Sequence, residues 1–167
     1  SGMLERECDH MVRNDRVTWG ACMVGCGDAD AMVTGGTRHH AATVEKLTKV
    51  VEARPGEIIF GLTLMVSRGR TVFIADTNVH DNPTAEQLVQ IAISSTRVAR
   101  LFGFDPKVAF LSHSTFGKPA TERTKHVREA IELMKTKNVD FEYDGEMQPD
   151  VALNPEYKGT YPFSKIV

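Results

Sequence analysis

From Asn82-Pro83 to Gly103, the positions Leu88, Ile91, Ala92, Ser95, Val98, Ala99 and Phe102 recur at three- and four-residue steps. That period places them along one stripe of an α-helix, opened by the proline and stopped by the glycine. A helix with a single apolar stripe must bury it, and the flanking sequence shows against what. Two runs rich in β-branched residues precede it, Ile58 to Val66 and Thr71 to Ala75, joined through Ser67-Arg68-Gly69-Arg70. They read as an antiparallel hairpin. The run Val108-Ala109-Phe110-Leu111 follows it and reads as a buried strand. Helices alternating with short strands, with one hairpin in the order, specify an α/β fold: a mixed, largely parallel sheet flanked by helices.

The same reading extends toward both ends. Leu4, Cys8, Met11 and Val12 share one helical face in the segment Leu4 to Asn14. Trp19 to Gly27 is small and apolar and ends on a glycine stop. Ala31-Met32-Val33-Thr34 reads as a short buried strand closed by Gly35-Gly36. From Ala41 to Glu52, Val44, Leu47, Val50 and Val51 fall at helical spacing, and Arg54-Pro55-Gly56 ends the pattern. A further helix carries Val127, Ala130, Ile131 and Met134, and Phe141-Glu142-Tyr143 is a third strand candidate. With no repeat, low-complexity tract or linker, residues 1–167 read as one domain.

Composition enters for what it excludes. A net charge of −2 leaves no basic excess for nucleic acid or an anionic membrane surface. No apolar run approaches the roughly 18 residues of a membrane span. Cys8, Cys22 and Cys26, odd in number and without framework spacing, read as reduced thiols of a cytoplasmic protein. Ser1-Gly2-Met3 is neither a signal nor a transit peptide, and Phe163 to Val167 is an apolar run without a stop signal. The chain is therefore expected to be cut from something longer.

Several motifs resemble chemical sites. Gly25-Cys26-Gly27 begins like a dinucleotide fingerprint, but Asp30 stands where the third glycine belongs, and a strand is expected after the motif rather than before it. Cys22 and Cys26 share a helix face without further convergent ligands, so small buried side chains are the better reading than zinc. His39-His40 diverge on a helix start; helix-entry hydrogen bonding is preferred, with contact to an anion beside Arg38 as the alternative. Glu142, Asp144, Glu146 and Asp150 lack the spacing of a calcium loop and read as a turn followed by a helix start. Ser112-His113-Ser114-Thr115-Phe116-Gly117-Lys118 joins a buried strand to a helix. Backbone N–H groups, hydroxyls and a lysine in such a loop suit a phosphate or carbonyl oxygen. A plain Ser/Thr-rich capping loop fits the residues equally well. The candidate ligand contacts are Arg38, Ser112, Ser114, Thr115 and Lys118, with no catalytic residue and no metal site in the chain.

Four segments, in order, resemble phosphate acetyltransferases. They are Gly27-Asp28-Ala29-Asp30-Ala31-Met32-Val33-Thr34-Gly35, then Phe73 to Val79 with Pro83 to Leu88, then Leu111 to Gly117, and lastly Asp144-Gly145-Glu146-Met147-Gln148-Pro149-Asp150. The wording of the last two is similar to the C-terminal phosphotransacetylase-like region of large bacterial NADP-dependent malic enzymes. That resemblance implies a piece of a two-lobed domain lacking the C-terminal part of the family domain. It also implies a regulatory and assembly role, acetyl-CoA as effector, a homo-oligomer, and a malic-enzyme catalytic part in the same parent chain. The parent would decarboxylate malate to pyruvate with NADP and Mg or Mn, none of which this chain would hold. Where phosphotransacetylases carry an essential arginine, an ungapped alignment places Glu45, beside Lys46. A carboxylate there repels the phosphate that an arginine clamps. The family's remaining catalytic residues, a Ser-Arg pair and an aspartate, have no counterpart in these residues. The competing expectations are an active phosphate acetyltransferase and a purely structural dimerisation module.

Overall fold

A computed structural model of the chain describes residues 4–118 and 121–166. The polypeptide divides into two compact units, residues 1–59 and 60–167.

The first unit is helical. Helices α1 (Glu5–Asn14) and α2 (Arg16–Cys26) meet at Asp15, which does two jobs. Its N–H donates to the Met11 carbonyl, closing α1, while its Oδ1 accepts from the N–H groups of Val17 (2.9 Å) and Thr18 (3.1 Å), opening α2. Gly27 ends α2 in the left-handed conformation, φ 82°, as a glycine cap should. Helix α3 spans His40–Val50 and buries Thr43. The segment Ala31–Thr34 is not a strand: it has no strand partner among the described residues, and Val33 is fully exposed. Among the described residues of this unit the regular elements are all helices, so nothing supplies the ladder its residue types would suit. Met32 instead packs over Gly20, where a Cβ would come within 2.5 Å of its sulfur.

The second unit carries the strands. β1 (Leu62–Ser67) and β2 (Arg70–Ala75) form the expected antiparallel hairpin, from Leu62 opposite Ala75 to Ser67 opposite Arg70. Its two-residue turn places Arg68 at φ 50° and Gly69 at φ 76°, the left-handed pair that matches the twist of the flanking strands. Helix α4 (Ala85–Leu101) opens on a capping box between Thr84 and Gln87. β3 (Val108–Leu111), α5 (Glu122–Lys135) and β4 (Tyr143–Met147) make a βαβ unit with a parallel strand pair. Helix α6 (Pro149–Leu153) and a 3-10 turn (Pro155–Gly159) follow. The core is Ala85, Val89 and Ala92 of α4, Phe110 of β3, and Ala130 and Met134 of α5.

The α/β class holds, but the strands lie in two two-stranded sheets, β1-β2 and β3-β4, rather than one continuous sheet. The acidic stretch is also corrected. Tyr143–Met147 is strand, not turn, because Gly145 lets its backbone lie against Phe110: a Cβ there would meet the Phe110 carbonyl at 2.6 Å, at φ 146°. Phe110 pairs with Gly145 and Leu111 with Met147, so Glu146 is the extra residue of a bulge. All three cysteines are free thiols, as expected, but the burial expected of Cys22 and Cys26 is not found: Cys22 is half-buried and Cys26 exposed, as is Cys8.

Candidate functional site

The loop leaving β3 is organised by one side chain from the neighbouring strand. Glu146 is 1% exposed, and the bulge in β4 aims it at the loop. Its Oε1 accepts from the Ser114 hydroxyl at 2.7 Å and the Gly117 N–H at 3.0 Å, and Arg128 Nη1 of α5 approaches at 3.4 Å. Arg128 also donates to the hydroxyl of buried Thr124 at 2.7 Å, tying α5 into the same group. The Glu146 backbone carbonyl accepts from Phe116 N–H at 2.7 Å, and the Met147 carbonyl accepts from Ser112 N–H at 3.0 Å. A buried carboxylate is tolerable only when donors surround it, and here they do so on one oxygen. The second oxygen, Oε2, is buried without a partner among the described residues.

These bonds force a tight conformation on the loop. Thr115 and Lys118 exchange backbone bonds at 3.1 and 3.2 Å, with Phe116 (φ 48°) and Gly117 (φ 84°) both left-handed between them. Phe116 is held in that unusual backbone state by its ring, whose centroid lies 4.8 Å from Phe163 and 5.3 Å from Tyr161. The Thr115 hydroxyl accepts from Gln148 N–H at 3.3 Å, and Ser112 and Ser114 bring their hydroxyls within 3.3 Å of each other.

The five candidate ligand contacts therefore fare differently. Ser112, Ser114, Thr115 and Lys118 all lie in this loop of the second unit. Ser114 is buried with its hydroxyl spent on Glu146, so it braces the loop. Ser112 and Thr115 are half-buried, and Lys118 is exposed with no ion pair to its ammonium among the described residues. Arg38 belongs to the first unit, where its Nη1 stands 3.7 Å from Asp15 Oδ2, an oxygen that also pairs with Lys46. The Lys46 ammonium, helped by the Thr18 N–H, pulls the Asp15 carboxyl down to about 2. Glu45 is exposed and bonded to Lys49 at 2.7 Å, which holds its carboxyl below the usual range. A permanent anion thus stands at that position. Among the described residues no three His, Cys, Asp or Glu side chains cluster as metal ligands, and no helix is long and apolar enough to cross a membrane.

Two groups escaped the sequence reading. Glu146 was hidden in an acidic stretch, although the period-2 order Tyr143-Gly145-Met147 would have placed it on a strand. Asp76 is the other: its Oδ1 accepts from Gly61 N–H at 2.6 Å, and its Oδ2 lies 2.9 Å from the His80 N–H and 2.5 Å from His80 Nδ1. It ties the end of β2 back to the start of β1.

Comparison with known proteins places the whole chain. The profile of the family described as Phosphate acetyl/butaryl transferase matches residues 1–166. The chain is 44% identical over 165 residues to an NADP-dependent malic enzyme of Rhizobium meliloti, covering 99% of this chain and 22% of that protein. It is 36% identical over 148 residues to a phosphate acetyltransferase of Nitratidesulfovibrio vulgaris, covering 88% of this chain and 21% of that one. Among solved structures, a phosphotransacetylase from Streptococcus pyogenes superposes with TM-score 0.80 at 34% identity, over 92% of this chain and 47% of that one. The chain spans less than a quarter of the length of these two curated relatives.

Proposed function

The chain belongs to the phosphate acetyl/butaryl transferase family, and from that premise we propose that it is a regulatory and assembly region of a malic enzyme, binding acetyl-CoA without transferring its acetyl group. The likeness to a malic enzyme over nearly the entire chain supports the parent. In that parent the catalytic part would hold the nicotinamide cofactor and the divalent metal and would decarboxylate malate to pyruvate. The region described here would join subunits into a homo-oligomer.

The observation that carries the binding role is the loop fixed on Glu146. It holds two hydroxyls, Ser112 and Thr115, and a cation, Lys118, on a backbone that cannot relax away, because Ser114 and Gly117 are tied to a buried carboxylate. Preorganised donors of that kind suit the phosphates or the thioester carbonyl of an acyl-CoA. The observation against turnover is Glu45. Its carboxylate, kept ionised by Lys49, meets an incoming phosphate with repulsion.

Calorimetric titration with acetyl-CoA, with free CoA and acetyl phosphate alongside, tests the binding. A direct assay of acetyl transfer between CoA and phosphate tests the second reading, an active phosphate acetyltransferase, which the likeness to the Nitratidesulfovibrio enzyme favours. Saturable binding without transfer supports the regulatory region; transfer overturns it.

A further inference from the structure

Four aromatic rings meet in the second unit where the loop after β3 touches the chain that follows α6. Phe116 lies 5.3 Å from Tyr161 and 4.8 Å from Phe163, centroid to centroid, and Tyr161 in turn meets Tyr157 at 6.4 Å and Phe163 at 6.2 Å. Three of these residues are half-buried, but Phe163 is 66% exposed. Its two ring neighbours stand steeply to it, at 69° and 80°, so no described ring lies flat on Phe163. An exposed phenylalanine is ordinary on a protein surface. The charges beside this one are what select a ligand. Lys118 ends the turn that carries Phe116, and Lys158 follows Tyr157 in sequence; both are exposed, and neither has an ion pair among the described residues. Lys165, by contrast, places its ammonium over the Tyr143 ring, 5.4 Å from the centroid. Free cations beside an open aromatic ring match a flat π system joined to phosphates, which is the chemistry of a nucleotide.

We propose that Phe163 stacks against a purine base, the adenine of acetyl-CoA, while Lys118 meets a phosphate of the same nucleotide end. This rests on the acetyl-CoA reading above and deepens it, because it gives the loop to the nucleotide end of the ligand rather than to the thioester. Adenine is the only flat aromatic ring in that ligand, and the phosphates on its ribose carry the charge that an ammonium pairs with. The platform is held in place from both sides. Phe116, which supports it, sits at φ 48° in a turn tied to buried Glu146 through Gly117 N–H and through its own N–H. The Phe163 segment is pinned by Ser164 N–H, which donates to the Tyr161 carbonyl at 3.0 Å, and by Lys165 N–H, which donates to Asp144 Oδ2 at 2.9 Å. A ring already fixed loses little freedom when a base settles on it.

The test is calorimetric titration of acetyl-CoA and of free CoA into the full 167-residue chain and two variants. Phe163→Leu keeps apolar packing against Phe116 and removes the π face; Phe163→Trp enlarges that face. Phe163→Leu should weaken acetyl-CoA binding about tenfold, the loss of one base–aromatic stack. It should weaken free CoA by the same factor, since the base is common to both, and Phe163→Trp should bind at least as tightly as the unchanged chain. If Phe163→Leu binds acetyl-CoA as well as the unchanged chain does, the stacking role is overturned while the regulatory reading stands. If Phe163→Trp loses as much affinity as Phe163→Leu, the residue shapes the loop rather than holding the base, and the role is again overturned. Absence of acetyl-CoA binding by the unchanged chain is a different result: it removes the regulatory reading itself, and this role with it, before any substitution is made.

Discussion

At the residue scale, Glu146 decides the geometry of the candidate site. Three donors converge on its Oε1, and its main-chain carbonyl holds Phe116. Truncation to alanine strips the Ser114 hydroxyl, the Gly117 N–H and the Arg128 guanidinium of a common acceptor. Glu146→Ala should therefore destabilise the second unit by about 3 kcal/mol, measured by urea unfolding, and speed amide exchange at Gly117. Lys118 acts differently, as an exposed charge with no ion-pair partner to lose among the described residues. Lys118→Ala should leave stability within about 0.5 kcal/mol of the parent chain and weaken acetyl-CoA binding severalfold. Lys137→Ala, at another exposed lysine, is the control and should leave affinity unchanged; equal affinities for the two variants would remove Lys118 from the site.

Individual elements were legible wherever the pattern was local. The α4 stripe, the glycine stops at Gly27 and Gly103 and the hairpin around Arg68-Gly69 all follow from spacing and turn chemistry that need no partner. What failed depended on neighbours. Ala31–Thr34 has strand-forming residues but no strand beside it, and Tyr143–Met147 is polar yet strand because Gly145 admits the Phe110 carbonyl. Likewise, the loop Ser112–Lys118 was recognisable as a candidate, but the carboxylate that shapes it lies 32 residues from Ser114. Gly145→Ala tests the close approach directly. The added Cβ meets main chain, not a flexible tip, so unfolding should show a loss of more than about 1 kcal/mol. Asp15 supplies a pH test for the helical unit. Its folded carboxyl lies at about 2 against an ordinary 3.8, so the stability it adds is present above pH 4 and is lost as pH falls through the folded value. Asp15→Asn should remove that acid-dependent loss, read from amide exchange in α2 and α3 between about pH 4 and pH 2.

At the scale of the whole molecule, the family fold is present. Glu45 lies on α3 bonded to Lys49, and the strand-to-helix loop after β3 is tied to the buried Glu146. The proposed role keeps recognition and gives up turnover. In the proposed role the chain would report acetyl-CoA to a catalytic part elsewhere in the parent, through linkage between binding and assembly. The measurement that bears most directly on this account is calorimetric titration of acetyl-CoA into the chain, with acetyl transfer to phosphate assayed on the same sample. A region that binds acetyl-CoA without transferring its acetyl group should show saturable binding, tighter than for free CoA or acetyl phosphate, and no transfer. Transfer above background, or acetyl-CoA bound no better than acetyl phosphate, would contradict it.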